Sequence, residues 1–184
     1  KVFRSLTQAD QRRVQQFRIN WLPVNKRCSK WMASRTETCP CCHLEAECCN
    51  HLIQCSENPH SIINLEQTLQ AEMTKAKFNP LIISAITTNI TKWAIPESPD
   101  PDNDVYPECI QVAIRSQTAI GWDNLFRGFL SRLWIDADAT LLHTRHDTPK
   151  YNTLGAVILR QCLHFFQLRW IARNKELHGD TPQE

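Results

Sequence analysis

The chain has 184 residues, a hydrophobic share of 42%, six Trp, seven Phe and a formal net charge of +2. That is enough apolar material for one packed domain, or for a small metal module joined to a helical one, and it excludes wholesale disorder. Four Gly argue against a turn-rich β architecture, and the lack of a run of about eighteen apolar residues excludes a helical membrane span.

The chain opens on Lys in the middle of a polar run, so it reads as a piece of a longer polypeptide, and this segment begins with no charged-then-apolar leader. Clustered cysteines that suit a metal more than disulfides point to a reducing compartment, and the expected location is intracellular, nucleus or cytoplasm. Positive charge is concentrated at this end. Residues 1–38 carry Lys1, Arg4, Arg12, Arg13, Arg18, Lys26, Arg27, Lys30 and Arg35 against Asp10 and Glu37, an excess of seven that leaves the remainder at −5. Such an asymmetry suits a phosphate-facing surface, and equally the solvated face of a helix.

Thr7 and Asp10 have the spacing of a capping box, and Val14, Phe17, Trp21 and Leu22 follow at helical intervals, predicting a helix over about 8–22 that Pro23 ends. A second short helix is expected over Arg27 to Met32, with Trp31 and Met32 turned inward. The cysteine-rich segment follows as a knuckle. Beyond the break at Pro59, Ile62, Leu65, Leu69, Met73 and Ala76 mark a helix over about 60–78, and Asn79-Pro80 opens another through Trp93.

Residues 95–107 hold four prolines and four acids and no helical pattern, the signature of a linker. Helical spacing returns from Glu108 through Ile110, Ala113, Ile114 and Ile120, bends at Gly121, and continues from Trp122 through Phe126, Phe129, Leu130, Leu133 and Trp134 toward Leu142. A last helix is capped by Asn152-Thr153, lined by Leu154, Ile158, Cys162, Phe165, Phe166, Leu168 and Ile171, and closed by Gly179. The predicted fold is mostly α: a basic helical segment and small zinc knuckle over 1–59, then a multi-helix domain over 60–184.

Six of the nine cysteines fall within residues 39–55, a clustering that favours a metal over a set of disulfides. Cys39-x2-Cys42, an eight-residue gap and His51-x3-Cys55 supply four N and S donors. A two-residue gap lets two thiolates of one turn face an ion, and the His-x3-Cys pair reaches it from one helical turn. Four protein donors complete the shell of Zn2+ without an open position, so the expected site is structural, and its binding energy is part of the folding energy. Cys41, His43, Cys48 and Cys49 are alternative donors, for the same ion, a second ion or a redox pair. Leu44, Leu52 and Ile53 are expected to form the apolar cap of the knuckle.

At Cys39, Pro40, Cys42, Glu47, His51, Leu52, Ile53 and Cys55 the chain resembles the zinc-binding domain, or zinc knuckle, that follows the polymerase region in reverse transcriptases of non-LTR retrotransposons. Upstream, Phe17 to Pro23 and then Lys26, Arg27, Lys30 and Trp31 look like that family's basic helix, Leu-Pro turn and Arg-rich stretch. The resemblance covers about residues 11–59 and departs at Cys48, where the family has a hydroxyl residue, and at the extra thiols Cys41 and Cys49. Residues 116–134 and 170–179 look similar to a helical tail that accompanies such knuckles in retroelement-derived proteins.

The resemblance implies a non-catalytic accessory region contacting RNA or DNA, with Arg12, Arg13, Arg18, Lys26, Arg27, Lys30 and Arg35 as candidate phosphate contacts; the Tyr-x-Asp-Asp carboxylates of a polymerase are absent from this segment. Two rivals are a protein-interaction adaptor, stapled by the zinc and offering an apolar groove to a partner, and a ribonuclease-H-like nuclease. The nuclease would need Asp102, Asp104, Glu108, Asp136 and Asp138 to converge on a sheet for which no strand run exists, and these acids read instead as surface and linker residues. His143 and His146 share a helical face without a third donor nearby. Arg169, Trp170, Arg173, Asn174, Lys175 and His178 offer either a stacking surface for single strands or a helix end whose cations answer the dipole and whose Trp packs in a core.

Overall fold

A computed structural model describes residues 6–142 and 151–179, with the side chains of residues 151–153 left out. Lys1, Arg4, His143 and His146 lie outside the described residues. The mostly α class predicted from sequence is borne out. The helices are α1 (Gln8–Arg18), α2 (Asn25–Cys28), α3 (Cys49–Gln54), α4 (Ile62–Lys75), α5 (Pro80–Ala94), α6 (Glu108–Ile120), α7 (Asp123–Phe126), α8 (Leu133–Leu141) and α9 (Tyr151–His178). The β pairing among the described residues is an isolated antiparallel bridge between Thr38 and Ala46.

The chain falls into two compact units. One is Ile63–Leu163; the other joins the segment ending at Ile62 to the segment beginning at His164, so α9 contributes to both.

In the unit Ile63–Leu163, apolar residues at helical spacing turn inward as their periodicity demands. Leu65, Leu69 and Met73 of α4, Ile82, Ile86 and Ile90 of α5, Ile110, Ala113 and Ile114 of α6, Phe126 and Trp134 are all buried, as are Leu154, Ile158 and Cys162 of α9. Helix α6 packs most extensively on α8, and α5 touches both. Asn79 caps α5 as expected, its side-chain oxygen accepting from the Leu81 amide at 2.9 Å, with Pro80 in the first turn.

Residues 95–107 connect α5 to α6 within this unit and are tied to α5. Lys92 donates to the carbonyls of Pro96 and Ser98, Asn89 donates to Asn103, and Ser84 bonds Tyr106. The expected continuous stretch from Trp122 toward Leu142 is instead two short helices. Gly128, at φ 91°, interrupts them, and Gln117 fixes the bend by accepting from the Ser131 amide while donating to the Phe129 carbonyl. Gly121, at φ 99°, ends α6; a Cβ there would meet the Asp123 carboxylate at 2.6 Å.

In the other unit, Thr7 caps α1 by accepting from the Asp10 amide, and Val14 and Phe17 are buried. Phe17 stacks on Phe166 of α9 with ring centroids 4.3 Å apart. Helix α1 stops at Arg18, earlier than the predicted Leu22, because Asn20 takes a left-handed conformation at φ 55°, which an Asn tolerates better than most residues. Trp21 therefore leaves the helical face and is exposed. The second helix is likewise shifted, to Asn25–Cys28, and Trp31 and Met32 lie beyond it, exposed, against the expectation that they turn inward.

Candidate metal centre

The knuckle begins as a tight hairpin. The Cys39 amide donates to the Glu45 carbonyl and the Glu47 amide to the Glu37 carbonyl, both at 2.8 Å, which closes the loop between them. Inside it the His43 amide donates to the Cys39 carbonyl at 2.9 Å with His43 at φ 56°, turning the chain so that Cys39 and Cys42 face the same side. Helix α3 supplies the other pair: His51 lies inside it and Cys55 is the residue that caps its end.

The ligand atoms of Cys39, Cys42, His51 and Cys55 all lie within 4.8 Å of one another. The sulfurs of Cys39 and Cys55 are 3.8 Å apart, and the Cys42 sulfur is 3.4 Å from His51 Nε2. A zinc tetrahedron with bonds of about 2.3 Å to sulfur and about 2.0 Å to nitrogen has edges of about 3.8 Å between sulfurs and about 3.5 Å between sulfur and nitrogen. The donor set fits such an ion in number, chemistry and spacing.

The imidazole is oriented for this role. Its Nδ1 lies 3.1 Å from Glu45 Oε2, leaving Nε2 directed at the sulfurs, the carboxylate–histidine arrangement that fixes tautomer and ring angle at metal sites. The sulfurs of Cys39 and then Cys55 push His51 up to about 11, and Cys39 holds the Cys55 thiol below its ordinary range.

The alternative donors have other places. Cys48 is the N-cap of α3, its sulfur accepting from the His51 amide at 3.3 Å, and so occupies the position and role natural to a hydroxyl side chain. Cys49 is buried at the start of α3, and His43 is exposed. Cys41 sits beside the cage, where the Cys39 sulfur pushes its thiol up to about 11, but it is outside the four-donor group. All nine cysteines are among the described residues, and none is in a disulfide. Leu52 and Ile53 are buried under the knuckle as expected, whereas Leu44, at 83% exposure on the hairpin tip, is not part of the cap.

Sequence reasoning missed what supports the knuckle from afar. Arg173 of α9 donates through Nε and Nη2 to the two oxygens of Glu47, each at 2.6 Å, and this ion pair is closed to solvent, at 2% and 0% side-chain exposure. Glu47 also accepts from the Asn25 amide at 2.5 Å, and the Asn25 side chain donates to the Thr38 carbonyl. One turn earlier, Arg169 donates to the carbonyls of Leu52 and Cys55, two orphans at the end of α3, and to that of His60 in the segment that follows. The available signal was the four-residue spacing of Arg169 and Arg173, which puts both on one helical face. Trp170 is buried between them in sequence, so it packs in the core and is not a stacking surface, while Lys175 and His178 beyond it are exposed.

Of the candidate phosphate contacts, Arg12, Arg18, Lys26 and Lys30 are exposed. Arg13 is paired with Asp10 at 3.0 Å, Arg35 donates to Asn25 Oδ1, and Arg27 stacks on Trp21. Among the described residues the acids Asp102, Asp104, Glu108, Asp136 and Asp138 form no donor group of the kind the cysteines make. Asp138 is also not the surface acid expected: it is buried and accepts from the Asn79 amide at 3.0 Å.

No protein-family model matches the chain, and no curated protein or solved structure is significantly similar to it. Among the described residues no helix is long and apolar enough to cross a membrane.

Proposed function

We propose that this chain is a non-catalytic, zinc-stabilised nucleic-acid-binding region of a reverse transcriptase-like, retrotransposon-derived protein. The observation that carries the reading is the Cys39, Cys42, His51 and Cys55 donor group, whose ligand atoms all lie within 4.8 Å of one another, preceded in sequence by a cationic tract. Between Asp10 and Glu37 the chain contains seven Arg and Lys residues and no acid. Four of them, Arg12, Arg18, Lys26 and Lys30, are exposed in the same unit as the cage. The likeness of residues 11–59 to the retrotransposon zinc knuckle supports the same assignment.

In this reading zinc holds the knuckle as a rigid staple, and the cations contact phosphates without reading sequence. The test is a filter-binding titration of the zinc-loaded chain against RNA and DNA at two salt concentrations. Binding weakens steeply with salt, and replacing Arg12, Arg18, Lys26 and Lys30 with Gln lowers both the affinity and the salt slope. Affinity unchanged by those four substitutions contradicts the assignment.

A further inference from the structure

Three side chains of the cationic tract stack together, two exposed indoles about a half-buried guanidinium. The Arg27 guanidinium carbon lies 3.7 Å from the centre of the Trp21 ring and 5.0 Å from that of Trp31. The arrangement is held by backbone. The Trp21 amide donates to the Gln16 carbonyl at 2.6 Å across the left-handed turn at Asn20, the Trp31 amide donates to the Cys28 carbonyl at 3.0 Å, and Arg27 Nη1 lies within 3.4 Å of the Asn20 carbonyl it donates to. Yet Trp21 is 60% and Trp31 67% exposed, whereas Trp122, Trp134 and Trp170 are buried. Arg173 also lies over a Trp ring, that of Trp170, but both residues are buried and that pair belongs to the core.

We infer that Trp21, Arg27 and Trp31 are a stacking platform for the unpaired bases of a single-stranded nucleic acid. The inference rests on the nucleic-acid reading above and adds the form of nucleic acid and the residues that hold it. Indole faces and a guanidinium plane stack on any base, and a base already paired in a duplex has no face to give them. The surroundings fit a polyanion: Lys26 and Lys30, both exposed, flank Arg27, and the tract from Gln11 to Thr36 contains no carboxylate side chain. An apolar protein partner would be met by the exposed rings but has no use for that unbroken positive charge.

The test uses the intact, zinc-loaded chain with oligouridylate and oligothymidylate strands and with a mixed-sequence duplex of equal length. The single strands bind more tightly and quench tryptophan fluorescence. Trp21→Ala and Trp31→Ala each weaken single-strand binding about tenfold, Trp21→Phe restores most of it, and duplex binding moves by less than about twofold. Photo-crosslinking of the unsubstituted chain to a 5-iodouracil strand, read by mass spectrometry, provides a second readout that does not depend on variants folding; adducts are expected on Trp21 or Trp31. Adducts confined to other residues, equal affinity for strand and duplex, or Ala variants that fold and bind strands as tightly as the parent overturn the platform and leave the charge-based reading standing. Binding to neither form overturns both.

Discussion

The two units of the chain are stabilised by different physics. Ile63–Leu163 buries a continuous set of aliphatic and aromatic side chains from several helices, each at the spacing its own helix dictates. The cysteine-rich unit has fewer apolar residues to bury and is held by directional groups instead: a four-donor cage, a solvent-free ion pair between Glu47 and Arg173, and an arginine that gathers three carbonyls. Apolar burial is additive and forgiving, whereas a cage or a buried ion pair fails as a whole when one member is lost. The contrast predicts that the two units respond to different perturbations.

The largest effect is expected from metal removal. Structural zinc contributes roughly 10 kcal/mol in comparable small modules, so a strong chelator should unfold the knuckle while Ile63–Leu163 stays helical. Hydrogen exchange checks this: amides of residues 25–58 lose protection, and those of α5 and α6 keep it. Next comes Arg173→Leu, which leaves Glu47 buried without its partner and should cost about 3–5 kcal/mol in the cysteine-rich unit; replacing both residues with Leu should cost much less. Thermal unfolding of the two variants separates these outcomes. Ile86→Ala should destabilise the other unit by about 2–5 kcal/mol and leave metal stoichiometry at the parent value, which unfolding and metal analysis measure together.

Cys48→Ala should cost about 1 kcal/mol through loss of the α3 cap, and Cys48→Ser close to nothing, with metal content unchanged in both. An ion lost from the Cys48 variants would make this residue a ligand and redraw the cage. The smallest effect near neutral pH concerns Cys162, whose complete burial pushes its thiol up to about 12. The unfolded thiol, with its ordinary value near 9, ionises first, so this group leaves stability flat below about pH 9 and lowers it above. Alkylation mapping should accordingly find Cys162 unmodified in the native chain at pH 7.5 and modified once it is unfolded.

The same contrast governs what could be read from sequence. Helical periodicity reports the local face of one element, and it placed α5, α6 as far as Ile114 and the α9 face from Leu154 to Phe166 well, because their burial follows from spacing alone; Ile120 and Ile171, expected on those faces near the helix ends, are exposed. The cage was legible for a related reason: its donors lie within seventeen residues, and zinc geometry limits the gaps between them. Periodicity misled where one residue broke it. Asn20 in a left-handed turn ended α1 early and turned Trp21 outward, and Gly128 split the stretch after Trp122. Least legible were the contacts of Arg169 and Arg173 with a segment more than a hundred residues away, since a basic residue near a helix end looks the same whether it faces water or a buried carboxylate. Asp138 was misread for the same reason.

The most direct test of the cage is metal analysis of the purified chain combined with X-ray absorption at the zinc edge. The structure predicts one zinc per chain, with three sulfur neighbours at about 2.3 Å and one nitrogen at about 2.0 Å, reduced to two sulfurs in Cys42→Ser. A knuckle over residues 25–58 that folds without metal, or a shell of four sulfurs that excludes His51, would contradict it.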